Sequence, residues 1–178
     1  ARTSTAYYRE RLKDVDIAAV TSRAALARLP VTRKSDLHDL QRARLPFGGL
    51  EATPISGLAR VFMSPGPIYD PEGRRPDFWQ SPPTLHAAGF RGGDVVLNCF
   101  SYHLSPFGFL MDSGAQALGC TVIAAGSDDA DAVADVMRTL SPRAFVGPAD
   151  FLERLIDTSG GRESATIKHA LVAGAPLT

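Results

Sequence analysis

Cysteine is scarce in this chain: Cys99 and Cys120 are the only two. Each sits beside an apolar, strand-like run, so buried free thiols are expected, which suits a reducing, cytoplasmic setting. Cys99, His103 and Cys120 lack the tight paired spacing of a zinc site, and no bound metal is expected from them. Net charge is missing too, with 19 basic residues against 19 acidic ones. That balance excludes a nucleic-acid binder working through a general positive field. No apolar run reaches the length needed to cross a bilayer, so no membrane partner is expected, and no secretory leader is read at the start. The chain also lacks G-x-S-x-G, the Walker phosphate loop and G-x-G-x-x-G. Serine-hydrolase, P-loop and dinucleotide-binding readings therefore have no motif to stand on.

Glycine and proline are plentiful, 16 and 13 residues, which calls for many tight connections. One such connection organises the reading. Val61, Phe62 and Met63 form an apolar run that feeds Ser64-Pro65-Gly66-Pro67-Ile68-Tyr69-Asp70-Pro71. A Gly-rich loop after a strand is where an α/β protein holds a charged ligand on backbone N–H groups. The alternative is a solvent-exposed, Pro-rich connection.

Residues 1–50 read as a helical, polar N-terminal segment. AYYRERL has helical spacing, Thr21 or Ser22 starts a short helix stopped by Pro30, and Thr32 is placed to cap a third. Residues 51–178 read as an α/β part. Apolar strand runs at 61–63, 95–99, 120–124, 144–146 and 168–173 alternate with helical stretches at 77–88, 107–118, 128–140 and 148–156. Alternation of this kind predicts a doubly wound, mostly parallel sheet with helices on both faces. The chain stops just after a strand, where such a fold continues, so a piece of a longer protein is expected.

Of the four histidines, His103 stands apart. It lies in Phe100-Ser101-Tyr102-His103-Leu104-Ser105-Pro106-Phe107, directly after a buried strand. In doubly wound sheets the ligand crevice lies at the carboxyl ends of strands. Tyr102, His103 and Phe107 are thus candidates for an acyl or aryl pocket. A packed loop with a structural histidine is the competing reading.

These segments together resemble the phenylacetate–coenzyme A ligase family, within the adenylate-forming acyl-CoA synthetases. The residues that carry the resemblance are Pro30, Thr32, Lys34, Asp36 and Leu37, then Pro46, Phe47 and Gly48. FRGGDVVLNCFSYHL is similar to the family's G-D-x-V-x-N strand and aromatic loop, and ALGCTVIAAGS to its L-G-A-T-V-I-P strand. VAGAPLT is similar to the G-A-E-P type stretch. The resemblance implies the N-terminal portion of a ligase that activates a small-molecule carboxylic acid with ATP and Mg²⁺ and passes the acyl group to coenzyme A. It implies a phosphate-loop analogue at Ser64, Gly66, Tyr69 and Pro71, and a nucleotide pocket at Gly174, Ala175 and Pro176. It places no catalytic residue within the chain, and a chain of this extent alone is not expected to be active.

The family's phosphate loop is Ser-Ser-Gly-Thr-Thr-Gly-Lys-Pro. Here Pro67 and Ile68 replace both threonines and Asp70 replaces the lysine. Each lost charge-assisted hydrogen bond is worth roughly 1.5–3 kcal/mol. Asp70 adds repulsion of about 3 kcal/mol against one phosphate charge at ~5 Å and an effective dielectric near 20. The sum exceeds the roughly 4 kcal/mol between micromolar and millimolar binding. A relative that keeps the acyl pocket but has lost ATP is therefore the second expectation.

Overall fold

The computed structural model describes residues 1–161 and 166–174. The chain divides into two compact units, Ala1–Arg74 and Arg75–Thr178.

The first unit opens with α1 (Ala6–Arg11), α2 (Arg23–Leu26) and α3 (Lys34–Ala43). Thr5 caps α1 by accepting from Tyr8 N–H, and Ser22 caps α2 by accepting from Ala25 N–H. The expected Thr32 cap does not form. The residue at the start of α3 is Arg33, with no side-chain cap, and the Thr32 hydroxyl lies 3.3 Å from that of Tyr7.

Residues 61–63 are a strand, as read, but not in the parallel sheet. They belong to β1 (Arg60–Ser64), which pairs antiparallel with β2 (Ile68–Glu72). Strand β2 was hidden by Asp70 and Pro71, both poor strand formers. A two-stranded ribbon leaves an open edge where a proline costs no ladder bond. Three residues, Pro65, Gly66 and Pro67, make the turn.

The second unit contains α4 (Pro82–Ala87), β3 (Val95–Asn98), α5 (Pro106–Ala117), β4 (Thr121–Ala124), α6 (Ala130–Leu140), β5 (Ala144–Gly147), α7 (Ala149–Thr158) and β6 (His169–Val172). In the stretch at 77–88, where Pro82 and Pro83 are expected to break or restart a helix, the helix runs from Pro82 to Ala87, because proline suits the first helical turn and not the interior. Among the described residues the strands form one parallel sheet ordered β4-β3-β5-β6.

Alternation along β3 and β5 sends side chains to both faces. Val96, Ala144 and Val146 pack with Leu85, Phe90, Met111 and Ala115 from the side of α4 and α5. Leu97, Cys99 and Phe145 pack with Val133, Met137, Phe151 and Leu155 from α6 and α7. The chain is thus α/β with helices on both faces, as the alternation predicted.

Tight packing of α5 on α4 rests on Gly114. A Cβ there would overlap the Ser81 hydroxyl and lie 2.9 Å from Ser81 Cβ. That hydroxyl donates to the Leu110 carbonyl at 2.9 Å and cannot simply swing away. We expect Gly114→Ala to cost about 1–3 kcal/mol in urea unfolding, the usual range for overpacking. Adding Ser81→Gly should recover part of it.

Candidate functional site

A cleft of about 200 Å³ opens at the carboxyl ends of β3 and β4. Ser101, Tyr102 and His103 line one wall, and Ala124, Ala125, Gly126, Ser127 and Asp128 the other. The helix that follows β3 packs on one face of the sheet, and the helix that follows β4 packs on the opposite face. Neighbouring strands whose connections part in this way leave a crevice between their loops, which is where open α/β sheets bind ligands.

Both walls are anchored on Asn98, which is fully buried. Its Nδ2 donates to the Tyr102 hydroxyl at 2.8 Å and to the Gly108 carbonyl at 2.9 Å. Its Oδ1 accepts from Phe100 N–H at 3.1 Å. Its backbone carbonyl accepts from Ala125 N–H at 3.0 Å and Gly126 N–H at 3.1 Å. A buried amide needs partners on both its ends, and here both are satisfied.

The Tyr102 hydroxyl accepts from Asn98 and donates to Asp112 Oδ2 at 3.3 Å. Gln116 Nε2 holds the other Asp112 oxygen. Burial, and then the Asp112 charge beside it, push the phenol well above the usual tyrosine range. The phenol tip is thus committed inside the protein. Gly108 lets α5 start close to this loop: a Cβ there would lie 2.7 Å from Ser101 O and 3.0 Å from Tyr102 Cγ.

His103 differs from expectation in its setting. Its side chain is 87% exposed, with Nε2 3.9 Å from the equally exposed Asp128. A pair so open to water contributes little to stability. It stands at the mouth of the cleft and is not a buried structural histidine. Phe107, the third expected pocket residue, lies at the start of α5, 46% exposed. Its ring packs on Phe100, 5.5 Å between centroids, and is not among the residues lining the cleft.

Of the expected nucleotide pocket, Gly174 follows β6 at the same carboxyl edge of the sheet, with φ +88° and its surface exposed. Ala175 and Pro176 lie outside the described residues.

The residues expected to form a phosphate-loop analogue lie on the β1–β2 hairpin. Ser64 and Ile68 face each other in the ladder, and Tyr69 and Pro71 are within β2. Gln41 of α3 clamps the Tyr69 peptide from both sides: its Oε1 accepts Tyr69 N–H and its Nε2 donates to Tyr69 O, both at 2.8 Å. With prolines at 65 and 67, Gly66 has the only N–H in the turn. These residues do not fit a triphosphate cradle, which needs several converging donors. Among the described residues no group of three or more His, Cys, Asp or Glu side chains is placed to hold a metal ion.

The sequence reading passed over Asn98 and Asp112 as site residues, the 124–128 wall and Gln41. Asn98 had a usable signal, a polar residue closing a buried apolar run. Gln41 did too, since it shares a helical stripe with Leu37.

Cys99, buried beneath the cleft-forming strand, has its thiol pushed up from 9.0 to about 12 by burial. The folded form holds that proton where the unfolded form releases it. Its stabilising effect is therefore complete below pH 9 and is lost as pH rises toward 12. Cys99→Ala should flatten the fall in stability above pH 9, measured by urea unfolding at stepped pH, by at most about 4 kcal/mol in total.

No family model matches the chain. It is 29% identical to a phenylacetate-coenzyme A ligase of Aromatoleum evansii, over 76% of this chain and 31% of that protein. It is 26% identical to a phenylacetate-coenzyme A ligase of Thermus thermophilus, over 97% of this chain and 40% of that protein. The chain thus spans between about a third and two fifths of the length of these curated relatives. Among solved structures, a 2-hydroxyisobutyryl-CoA ligase in complex with 2-HIB-AMP and CoA matches with a TM-score of 0.77 at 24% identity. That match covers 89% of this chain and 36% of that one. A second structure of a 2-hydroxyisobutyryl-CoA ligase, with R3-HIB-AMP, gives a TM-score of 0.79 at 23% identity, over 89% of this chain and 35% of that one. At these identities the structural likeness speaks for the fold, and the fold agrees with the curated matches. The chain is similar to the N-terminal portion of phenylacetate-coenzyme A ligases.

Proposed function

We propose that this chain is the acid-receiving part of a longer protein that activates a small carboxylic acid, phenylacetate-like, as its acyl-adenylate and joins it to coenzyme A. The observation that supports this most is the likeness over 97% of the chain to a phenylacetate-coenzyme A ligase. The acid lies in the cleft at the ends of β3 and β4. Small residues at Ala124, Ala125 and Gly126 leave room for its tail, and the Tyr102 ring bounds it. Asp128 repels a carboxylate, so the acid's reactive end faces away from that wall. ATP would supply the adenylyl group to the acid's carboxylate, with pyrophosphate leaving, and AMP would leave when coenzyme A takes the acyl group.

The hairpin favours a second reading, a relative that keeps acid binding and has lost ATP. Acid-dependent ATP–pyrophosphate exchange by the full-length protein separates the two, with phenylacetate and 2-hydroxyisobutyrate as probes. Exchange that needs the acid supports the ligase. Acid binding by calorimetry with no exchange and no ATP binding supports the second reading. Absence of both rejects the acid cleft.

The hairpin is tested directly by Pro67→Thr with Asp70→Lys in the full-length protein. Ile68 is left alone because it is buried. ATP affinity should rise at least tenfold, about 1.4 kcal/mol. Micromolar ATP binding by the native protein, with no gain in the variant, would show that the hairpin is no obstacle.

His103→Ala should weaken phenylacetate binding while leaving the melting temperature within a degree or so, since little is buried there. Unchanged affinity would remove His103 from the site.

A further inference from the structure

We infer that Asn98 is the positioning residue of the cleft, holding the β3 loop and the β4 loop to one strand end so that the two walls keep a fixed separation. The inference rests on the reading that the cleft receives the acid. Nothing in that reading requires it, because Asn98 is fully buried and does not line the cleft.

Asn98 ends a strand whose other residues are apolar, and a buried amide there is costly unless its hydrogen bonds are met. Its side chain spends all three of its bonds on the segment that follows β3. Phe100 N–H, the Tyr102 hydroxyl and the Gly108 carbonyl are the partners. Tyr102 is thereby held at its far end, so its ring cannot rotate out of the wall. The Gly108 bond draws the first turn of α5 to the same point. Its carbonyl spends both lone pairs on Ala125 and Gly126, the residues that begin the opposite wall. The loop between Asn98 and α5 is otherwise held by few bonds, among them Gly108 N–H to Ser101 O at 3.2 Å and His103 N–H to Ser101 Oγ at 3.1 Å. An apolar residue would serve the core equally well. The amide serves where the β3 loop and the start of α5 must be held to one point, while the backbone carbonyl at the same position holds the β4 loop.

Asn98 acts through Tyr102, so its removal should be felt in acid affinity beyond any effect on folding. The test uses the full-length protein with Asn98→Asp, Asn98→Ala and Tyr102→Phe. Val133→Ala, in the core under α6, serves as a control of comparable loss in melting temperature. Phenylacetate is the probe. Asn98→Asp keeps the size and the acceptor for Phe100 but removes both donor hydrogens. Both Asn98 variants should weaken phenylacetate at least tenfold, with Val133→Ala changing it less than twofold. Tyr102→Phe, which keeps the ring and removes one partner, should weaken it at least threefold, and should add little on top of Asn98→Ala. Equal effects of Asn98→Ala and Val133→Ala would overturn the inference, leaving Asn98 as ordinary core. If the Asn98 variants do not fold, Tyr102→Phe decides alone, and unchanged affinity there overturns it.

If the native protein binds no phenylacetate, the acid reading fails but the positioning claim is still decided, by amide hydrogen exchange. Asn98→Ala should then speed exchange at residues 99–108 at least tenfold over the change at residues 144–147 of β5. Uniform acceleration overturns it.

Discussion

A single buried amide, Asn98, is the constraint on which the cleft depends. The sheet core on either side of β3 is apolar and would tolerate many side chains of similar volume. What an apolar core cannot do is fix two loops and a helix start relative to one another, because hydrophobic packing has little direction. Hydrogen bonds have direction, and inside a protein an unmet one costs roughly 1–3 kcal/mol. Asn98 makes five of them at the end of a central strand, three through its side chain to the β3 loop and α5 and two through its backbone carbonyl to the β4 loop. Its partners include both cleft walls.

Topology explains why the cleft is there at all. β3 lies between β4 and β5, and the helices after β3 and β4 leave toward opposite faces. Their loops diverge and leave a gap no side chain fills. The hairpin in the first unit is a different kind of object. Its turn has one N–H, and Gln41 holds both the N–H and the carbonyl of Tyr69. The second unit keeps a sheet fold similar to that of 2-hydroxyisobutyryl-CoA ligases, while the hairpin in the first unit is a closed ribbon. Fold and function are separable in this way because sites are carried by loops and not by the sheet.

Much of the parallel sheet was legible in the residues. The apolar runs at 95–99 and 144–146 are short and bounded by turn residues, and both lie in the parallel sheet. The cleft was half legible. Tyr102 and His103 could be placed at a strand end, since chain order alone puts them there. The opposite wall could not, because its approach depends on which strand lies beside β3, and that is a tertiary fact. The hairpin was misread because Pro65, Pro67 and Pro71 suggest a loop. Two of these sit at or beside the turn, and the third sits on a ribbon edge where its missing N–H does no harm. Phe107 sits outside the cleft lining for a related reason. Aromatic character marks a pocket candidate, but α5 begins at Pro106 and lays that ring against Phe100 instead.

The most direct measurement is a crystal structure of the full-length protein soaked with phenylacetate. The account predicts acid density in the cleft, with ring atoms within about 4.5 Å of both the Tyr102 ring and the 124–126 backbone. Asn98 should keep its five hydrogen bonds. Density for the acid elsewhere on the protein, with only water between Tyr102 and Gly126, would contradict it.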